Sequence, residues 1–352
     1  MTDVFVDSFV HTLGERKVEV HESAAAGRLV SRPQDLQEAG FRLHHICEPA
    51  TTSYDLARRV TAELADSGRL GRIDAIVYAS CLPGNAGGDD PRAWEADRDV
   101  KHLMDFPASR LQAEFGLRNA VVFGLDQQAC TAMLGSLRLA GALLRAEEDW
   151  ERVLCVTADR FPEGALYEQA YNLISDGAAA CVVSRRPAAF RIVTAHQITN
   201  GGLGRAGDDE TVGSYFSYTH RLVRETLDRA GLTPADLDWV VTQNTHATAW
   251  QILARLLGVD FDRVCFSSLP DVGHVISADT VVNLCELLAT GQVRPGARIA
   301  LVMAGFGLNW QCVLLEATPA VAGVRPGPGP SFSAPAPRPD RCPSDAHPMR
   351  TA

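Results

Sequence analysis

One pattern occurs twice in this chain, and it constrains the fold more than any other feature. In the first copy the apolar run VVFGLDQQAC leads into a helical segment and then into ERVLCVTAD; in the second, VCFSSLPDVGH leads into a helix and then into ARIALVMAG. Both copies follow the order strand, turn, helix, strand. Chance alternation in an α/β protein is one explanation. The other is a true repeat, which predicts two similar halves about a pseudo-twofold axis, with Cys130 and His274 meeting near it.

Further apolar runs alternate with helical patterns on both sides of the repeat. Near-continuous apolar strands alternating with helices are typical of a sheet covered on both faces, so the predicted fold class is α/β. The strand candidates are DAIVYAS, NAVVFGL, RVLCVTA, AAACVVS, DWVVTQ, RVCFSSL, RIALVMAG and CVLLEA. The helix candidates are SYDLARRVTAELADSG, the segment after Cys130, YFSYTHRLVRETLDRAG, ATAWQILARLLG and SADTVVNLCELLATG. We expect halves at residues 1–180 and 181–318, then a disordered Pro/Ala-rich tail at 319–352.

Composition narrows the class of protein. The nine cysteines form no CxxC pair, which argues against a disulfide framework or a zinc site and predicts a reducing, cytoplasmic location. No apolar run approaches the roughly 20 residues of a membrane span. The formal charge of −10 argues against non-specific nucleic-acid binding. We therefore expect a cytoplasmic protein with no metal, no membrane segment and no nucleic-acid partner.

Cys130 is the candidate nucleophile because it stands where an apolar strand turns into a helix. The first turn of a helix presents unpaired N–H groups and a positive dipole end, and both favour the reactive thiolate. The same N–H groups could hold an oxyanion. The alternative is an inert, buried thiol. The other cysteines considered are interpreted as small core residues: Cys47, Cys81, Cys155, Cys181, Cys265, Cys285 and Cys312.

A cysteine nucleophile needs a base, and two histidines are candidates. His274, in DVGHVISADTVVNL, follows a glycine at a second strand-to-helix turn, and Asp279 would fall in the first turns of the next helix and orient the ring. Alternatively, His274 is a turn residue and Asp279 an acid favoured by the helix dipole. His246, in VVTQNTHATAW, is a rival base. The glycines of AGFGLNW either turn a second oxyanion donor inward or form a β-turn.

These motifs carry a family resemblance. Residues from about 104 to 316 resemble the β-ketoacyl-ACP synthase III branch of the thiolase superfamily. The matching segments, in order, are FGLDQQACTAMLGSLRLA, NLISDGAAACVVS, DLDWVVTQNTHATAWQILARLLGV, VGHVISADTVVNL and AGFGLNW. The resemblance implies a thiolase fold, with two pseudo-symmetric halves in a layered αβαβα arrangement. It also implies an acylated Cys130 and structural roles for Asp176 and Gly177.

The departures from the family pattern bear on the reaction. Aligned without gaps, the catalytic histidine of the family falls on Gln243, and its catalytic asparagine falls on His274. A glutamine can donate a hydrogen bond but cannot act as an acid or a base. The remaining Cys–His–Asp set is similar to that of synthase-III-like acyltransferases of antibiotic pathways, in which a histidine serves as general base. By the resemblance, the backbone N–H groups of Cys130 and Phe306 would hold the oxyanion.

The expected function is acyl transfer in secondary metabolism. An acyl group from an acyl carrier protein or coenzyme A thioester would load onto Cys130 and pass to a hydroxyl or amine of a small molecule, with no metal or redox cofactor. The resemblance implies a homodimer or a heterodimer with a homologous subunit. Secondary candidates are Gln243, His246 and Asn309, with Arg255 for carrier docking. The alternatives are decarboxylative carbon–carbon condensation on a malonyl or β-keto thioester, a catalytically dead partner subunit, and a thioesterase.

Overall fold

A computed structural model describes residues 3–82, 91–170, 172–205 and 208–324. Its strands are β1 (Phe5–Leu13), β2 (Arg16–Glu19), β3 (Leu43–Ile46), β4 (Ala75–Ala79), β5 (Val121–Leu125), β6 (Arg152–Asp159), β7 (Glu168–Gln169), β8 (Asn172–Leu173), β9 (Gly177–Ser184), β10 (Phe190–Thr199), β11 (Trp239–Thr242), β12 (Val264–Cys265), β13 (Arg298–Gly305) and β14 (Asn309–Ala317). Its α-helices are α1 (Val20–Ala25), α2 (Pro33–Glu38), α3 (Ser53–Asp66), α4 (Pro91–Asp97), α5 (Pro107–Glu114), α6 (Ala132–Ala146), α7 (Asp208–Arg229), α8 (Ala247–Leu257), α9 (Leu269–Val272) and α10 (Asp279–Ala289).

Ten of the strands form one sheet, in which five strands of each half are paired in the same way. The order is β12-β11-β13-β14-β10-β1-β9-β6-β4-β5. In the first half, β4 pairs in parallel with β5 and β6, and β9 pairs antiparallel with β6 and β1. In the second half, β11 pairs in parallel with β12 and β13, and β14 pairs antiparallel with β13 and β10. The sheet therefore has the two similar halves that the sequence repeat predicts.

The helices complete the layered arrangement. Helices α6 and α10 each pack on strands of both halves, α6 on β6 and β14 and α10 on β1 and β11. Nearly every residue of α10 is buried, as expected of a helix that is enclosed on all sides. Helix α3 packs on β1, β6 and β9, and α7 packs on β10, β13 and β14. The fold is the α/β thiolase fold that the resemblance implies.

All eight strand candidates and all five helix candidates occur as elements of their predicted type. Strands β1 and β10, the middle pair of the sheet, were not among the candidates. The predicted boundary between residues 180 and 181 falls inside β9, whereas the two sets of five strands divide in the connection from Ser184 to Phe190. Of the predicted tail, Pro319–Gly323 form a short 3-10 helix, and residues 325–352 lie outside the described residues. None of the helices in the described ranges has the length and apolarity of a membrane span.

Asp176 ties the first half together from within. Its carboxylate accepts hydrogen bonds from the backbone N–H of Cys47 and of Phe161, each at 2.8 Å, and from the hydroxyl of Tyr167 at 3.0 Å. The residue is completely buried, and burial raises the pKa of its carboxyl group. One side chain thus joins the end of β3, the end of β6 and the start of β9, which agrees with the structural role implied by the resemblance.

Replacing Asp176 by Ala is expected to lower the free energy of unfolding by about 3 kcal/mol, because three buried donors lose their acceptor. Urea unfolding followed by circular dichroism measures the change. Asp228→Ala removes an exposed acid from α7 and should shift the free energy by less than about 0.5 kcal/mol. Equal effects of the two substitutions would contradict the structural role of Asp176.

Candidate active site

A cavity of about 380 Å³ collects most of the predicted site residues. Cys130, Gln243, His246, His274 and Phe306 all line it. Much of the remaining wall comes from α7 and α8 and from the end of β13. The cavity therefore combines the turn that follows β5 in the first half with the equivalent turn that follows β12 in the second half.

Cys130 lies in a short 3-10 turn, Ala129–Thr131, that leads directly into α6. The Ser277 hydroxyl donates a hydrogen bond to the carbonyl of Ala129 at 2.9 Å, which connects this turn to the one that precedes α10. A Cβ atom at Gly305 would lie 2.9 Å from the backbone nitrogen of Cys130. Glycine is therefore the residue at position 305, at the end of β13, that leaves the backbone N–H of Cys130 accessible.

The environment of Cys130 opposes the thiolate that the helix start was expected to favour. Its thiol is buried, and its pKa is raised well above the usual value. The main cause is the neighbouring Cys81 thiol, followed by burial and by the nearby carboxylates of Asp159 and Asp279. Desolvation and negative charge thus act against the helix start, which favours the thiolate. Cys130 therefore needs a base beside it, as expected from the sequence for a cysteine nucleophile.

Cys81 is a neighbour of Cys130 that the sequence interpretation assigned to the core. It is half-buried and follows β4, which lies beside β5 in parallel. A single oxygen of Asp159 accepts the N–H groups of Cys81 at 2.7 Å and Leu82 at 3.0 Å and so fixes this loop. Burial raises the pKa of Asp159 to about 6. Because parallel neighbours end at the same edge, the strand prediction already contained the signal for this contact.

His274 and Asp279 form a closely packed pair. The Nδ1 atom of His274 lies 2.5 Å from Oδ2 of Asp279, and both side chains are buried. Asp279 also accepts the backbone N–H of Asn244 at 2.7 Å and of Val275 at 2.6 Å. A carboxylate that accepts three hydrogen bonds fixes the ring with Nδ1–H toward Asp279. The lone pair of Nε2 is then the basic site of a neutral His274.

A buried amide network that the sequence interpretation missed supports this pair. The Nδ2 group of Asn244 donates to the Ser268 hydroxyl at 2.8 Å and to the Gly273 carbonyl at 2.7 Å. Asn283, inside α10, donates to the side-chain oxygen of Asn244 at 2.9 Å. The network holds β11, the turn before His274 and α10 together. The available signal was the polar Asn283 within the apolar run VVNLC.

Gln243 lies on the cavity wall with its orientation fixed. Its Oε1 atom accepts the backbone N–H of Ala304 at 2.6 Å. Since an N–H group can bond only to the oxygen of a side-chain amide, Nε2 is the free end of Gln243. Gln243 therefore offers hydrogen-bond donors to the cavity.

The remaining predicted residues have other surroundings. His246 caps α8, and its Nδ1 atom accepts the N–H of Thr248 at 3.2 Å. Its Nε2 atom, which then carries the proton of the neutral ring, is a donor. The side chain of Asn309 accepts the Thr199 hydroxyl at 2.6 Å and donates to the Phe306 carbonyl at 3.0 Å, so it serves the loop after β13. Arg255 is exposed in the last turn of α8.

No group of three or more His, Cys, Asp or Glu side chains arranged to bind a metal ion occurs in the described part of the chain. The cavity itself presents a buried thiol, an imidazole oriented by a carboxylate, backbone N–H groups and one oriented amide. Such a set can form and resolve a covalent acyl intermediate.

Two family models match this chain. The model described as 3-oxoacyl-[acyl-carrier-protein] synthase III matches residues 126–201, and that of the synthase III C-terminal region matches residues 227–317. A β-ketoacyl-[acyl-carrier-protein] synthase III of Rhodobacter capsulatus is 27% identical over 302 residues, covering 78% of this chain and 87% of that protein. Enzymes of the synthase III type use thioester substrates and need no cofactor.

Solved structures show the same fold. The 3-oxoacyl-(acyl carrier protein) synthase III FabH of Pseudomonas aeruginosa is 25% identical, with a TM-score of 0.74 over 90% of this chain and 98% of its own. A structure named ChlB3, described as an acyltransferase, is 20% identical, with a TM-score of 0.75 over 91% of this chain and 99% of its own. Sequence and fold comparisons thus agree on one group of enzymes, whose chemistry is acyl transfer or condensation.

Gly305→Ala is expected to slow acylation of Cys130 about 10²-fold, because the new Cβ atom would crowd the backbone N–H of Cys130. Stopped-flow or quenched mass measurements of acyl-enzyme formation give the rate. Gly124→Ala is the matched control, since a Cβ atom there meets nothing within 4 Å. A Gly305→Ala enzyme that acylates at the unsubstituted rate would exclude an oxyanion role for this N–H group.

Cys81→Ala is expected to lower the pKa of Cys130, because the neighbouring thiol that contributes most to the raised value is removed. The rate of iodoacetamide labelling of Cys130 against pH should therefore rise at a lower pH than in the unsubstituted protein. Cys155→Ala is the control, since it disrupts a second thiol pair, with Cys181, inside the sheet. An unchanged labelling profile for Cys81→Ala would contradict this cause.

Proposed function

We propose that the chain is a β-ketoacyl-ACP synthase III-like enzyme of the thiolase superfamily and acts as an acyltransferase with a Cys130 acyl intermediate. The observation that carries the proposal is the contact of 2.5 Å between His274 and Asp279. An imidazole held by a carboxylate at Nδ1 presents a lone pair at Nε2 and so suits general-base catalysis. The raised pKa of Cys130 makes such a base necessary.

The proposed reaction has two steps. In the first, His274 takes the Cys130 proton as the sulfur attacks a thioester carbonyl, and the leaving thiol then receives that proton. In the second, the acceptor attacks the acyl group on Cys130 while His274 takes the acceptor's proton and passes it to the departing sulfur. The backbone N–H groups of Cys130 and Phe306 are the proposed oxyanion donors in both steps.

Decarboxylative condensation is the second candidate, and the synthase III names of the relatives favour it. That reaction requires hydrogen-bond donors for the thioester carbonyl of a malonyl unit. Gln243 supplies a donor, whereas His274, with its Nδ1–H directed at Asp279, is arranged to act as a base through Nε2. The arrangement thus suits removal of a proton from an acceptor better than stabilisation of an enolate.

The proposal includes the wider setting of the reaction. The donor is an acyl thioester of a carrier protein or coenzyme A, with the exposed Arg255 as a docking residue for a carrier protein. We further propose a cytoplasmic enzyme of secondary metabolism, in antibiotic formation, that works as a dimer of two copies or with a homologous subunit. The halves before and after the connection from Ser184 to Phe190 would each supply part of the site.

Intact-protein mass spectrometry tests the function directly. The protein is incubated with malonyl-, acetyl- and benzoyl-coenzyme A, with Cys130→Ala as control. A stable adduct that is absent from Cys130→Ala is the expected result. An adduct that has lost carbon dioxide would favour condensation instead. If no donor gives an adduct, the acyltransferase proposal fails and a partner-subunit role gains support.

Asp279→Asn is expected to reduce acyl transfer by about 10³-fold or more, because the amide no longer fixes the Nδ1–H tautomer of His274. The N–H groups of Asn244 and Val275 bond to different oxygens of Asp279, so Asn keeps an acceptor for one of them and disturbs folding less than Ala. Thermal unfolding verifies the fold, and single-turnover transfer measures the effect. Full transfer by Asp279→Asn, with His274→Ala inactive, would reduce the proposed triad to a dyad.

A further inference from the structure

Gln243 has one unused hydrogen-bonding end, and that end is a donor. Its Oε1 atom accepts the Ala304 N–H, and among the hydrogen bonds of the ranges 3–82, 91–170, 172–205 and 208–324 none is donated by Nε2. The side chain lines the cavity together with Cys130 and His274. A molecule in the cavity therefore meets an N–H donor from Gln243 beside the two residues proposed to carry out the chemistry.

The donor is held in place from two sides. The next residue, Asn244, donates its backbone N–H to Asp279 and its side-chain amide to Ser268 and Gly273. These bonds place Gln243 in a fixed relation to the carboxylate that orients His274. A flipped amide would set its NH2 group against the N–H of Ala304, so the donor end stays toward the cavity.

An acceptor group must satisfy this donor and still react. A hydroxyl oxygen has two lone pairs, so one can accept a hydrogen bond from Gln243 while the other attacks the acyl carbon. A neutral amine has a single lone pair, which is the nucleophile itself. A hydrogen bond from Gln243 to that lone pair would block the attack. The fixed amide thus favours an oxygen nucleophile over a nitrogen one.

The cavity wall indicates what carries the hydroxyl group. Large apolar and aromatic side chains make up much of it, among them Tyr215, Phe216, Ile252, Leu308 and Trp310. Such a surface suits an apolar ring or hydrocarbon better than a strongly hydrated acceptor.

We propose that the acyl acceptor is a hydroxyl group on an apolar small molecule, selected over amines by the Nε2 donor of Gln243. The inference rests on the proposed acyltransferase function. The acceptor O–H proton goes to His274, the C–O bond of the ester forms and the bond between the acyl carbon and the Cys130 sulfur breaks. The proton then moves from His274 to that sulfur, so the enzyme returns to its starting state.

The test compares two acceptors that differ only in the reacting group. Acyl-enzyme is formed with whichever coenzyme A thioester loads Cys130, then mixed with para-cresol or para-toluidine near neutral pH, where neither is substantially ionised. Product formation and loss of the Cys130 adduct are followed by mass spectrometry. We expect at least tenfold faster ester formation than amide formation, against the greater intrinsic nucleophilicity of the aromatic amine.

Gln243→Glu reverses the hydrogen-bonding character at nearly constant shape. One carboxylate oxygen still accepts the Ala304 N–H, while the other replaces the donor by an acceptor. We expect the ratio of ester to amide formation to fall at least tenfold, because an amine can donate to the new acceptor and keep its lone pair free. Gln169→Glu introduces the same change elsewhere on the cavity wall and should leave the ratio within twofold.

The outcomes separate the two proposals. Failure to form any Cys130 adduct defeats the acyltransferase proposal and this inference with it. A loaded enzyme that transfers to para-toluidine as fast as to para-cresol, or to neither, overturns only the hydroxyl selection. An unchanged ratio in Gln243→Glu, or an equal shift in Gln169→Glu, would show that Gln243 does not select the acceptor.

Discussion

The carboxylate of Asp279 is the interaction on which the arrangement of the cavity depends. It accepts one hydrogen bond from the His274 ring and two from the backbone, at Asn244 and Val275. These three donors belong to the segment after β11 and to the turn before α10, so one buried side chain fixes both against the start of that helix. Burial of a charged group is costly, and here three donors offset that cost. The orientation of His274 is therefore a property of the fold itself.

Much of the fold could be predicted from the sequence because the repeated segment predicts two similar halves related by a pseudo-twofold axis. The turns that carry Cys130 and His274 occupy equivalent places in the two halves, and both reach one cavity. Strands β1 and β10 could not be recognised in the same way. Their segments, FVDSFVHTL and FRIVTAHQIT, contain polar side chains that interrupt a continuous apolar run. Such polar positions in a central strand depend on the sheets and helices packed around it.

The chemistry of Cys130 was harder to predict than its position. The effect of a helix dipole on the pKa of Cys130 can be predicted from the sequence, because the helix start can be recognised there. The effects of desolvation and of a neighbouring thiol depend on the folded surroundings. The neighbour that contributes most, Cys81, lies 49 positions earlier in the chain, so it is found through the pairing of β4 with β5 and not from the residues around Cys130. Likewise Gln243 was recognised as a departure from the family pattern, but the direction of its amide follows only from the contact with Ala304.

The contact between the two halves, formed by strands β1 and β10 and by helices α6 and α10, has a consequence for how such a site evolves. Strands β1 and β10 are paired at only two positions, Phe5 with Arg191 and Val6 with Phe190, while α6 and α10 bridge the halves from the middle. Cys130 belongs to one half and His274 to the other. A small rotation at this contact would separate thiol from base while leaving each half's secondary structure intact. Activity is therefore a more sensitive measure of the contact between the halves than helix or strand content. Substitutions at this contact would be selected for their effect on activity before their effect on stability.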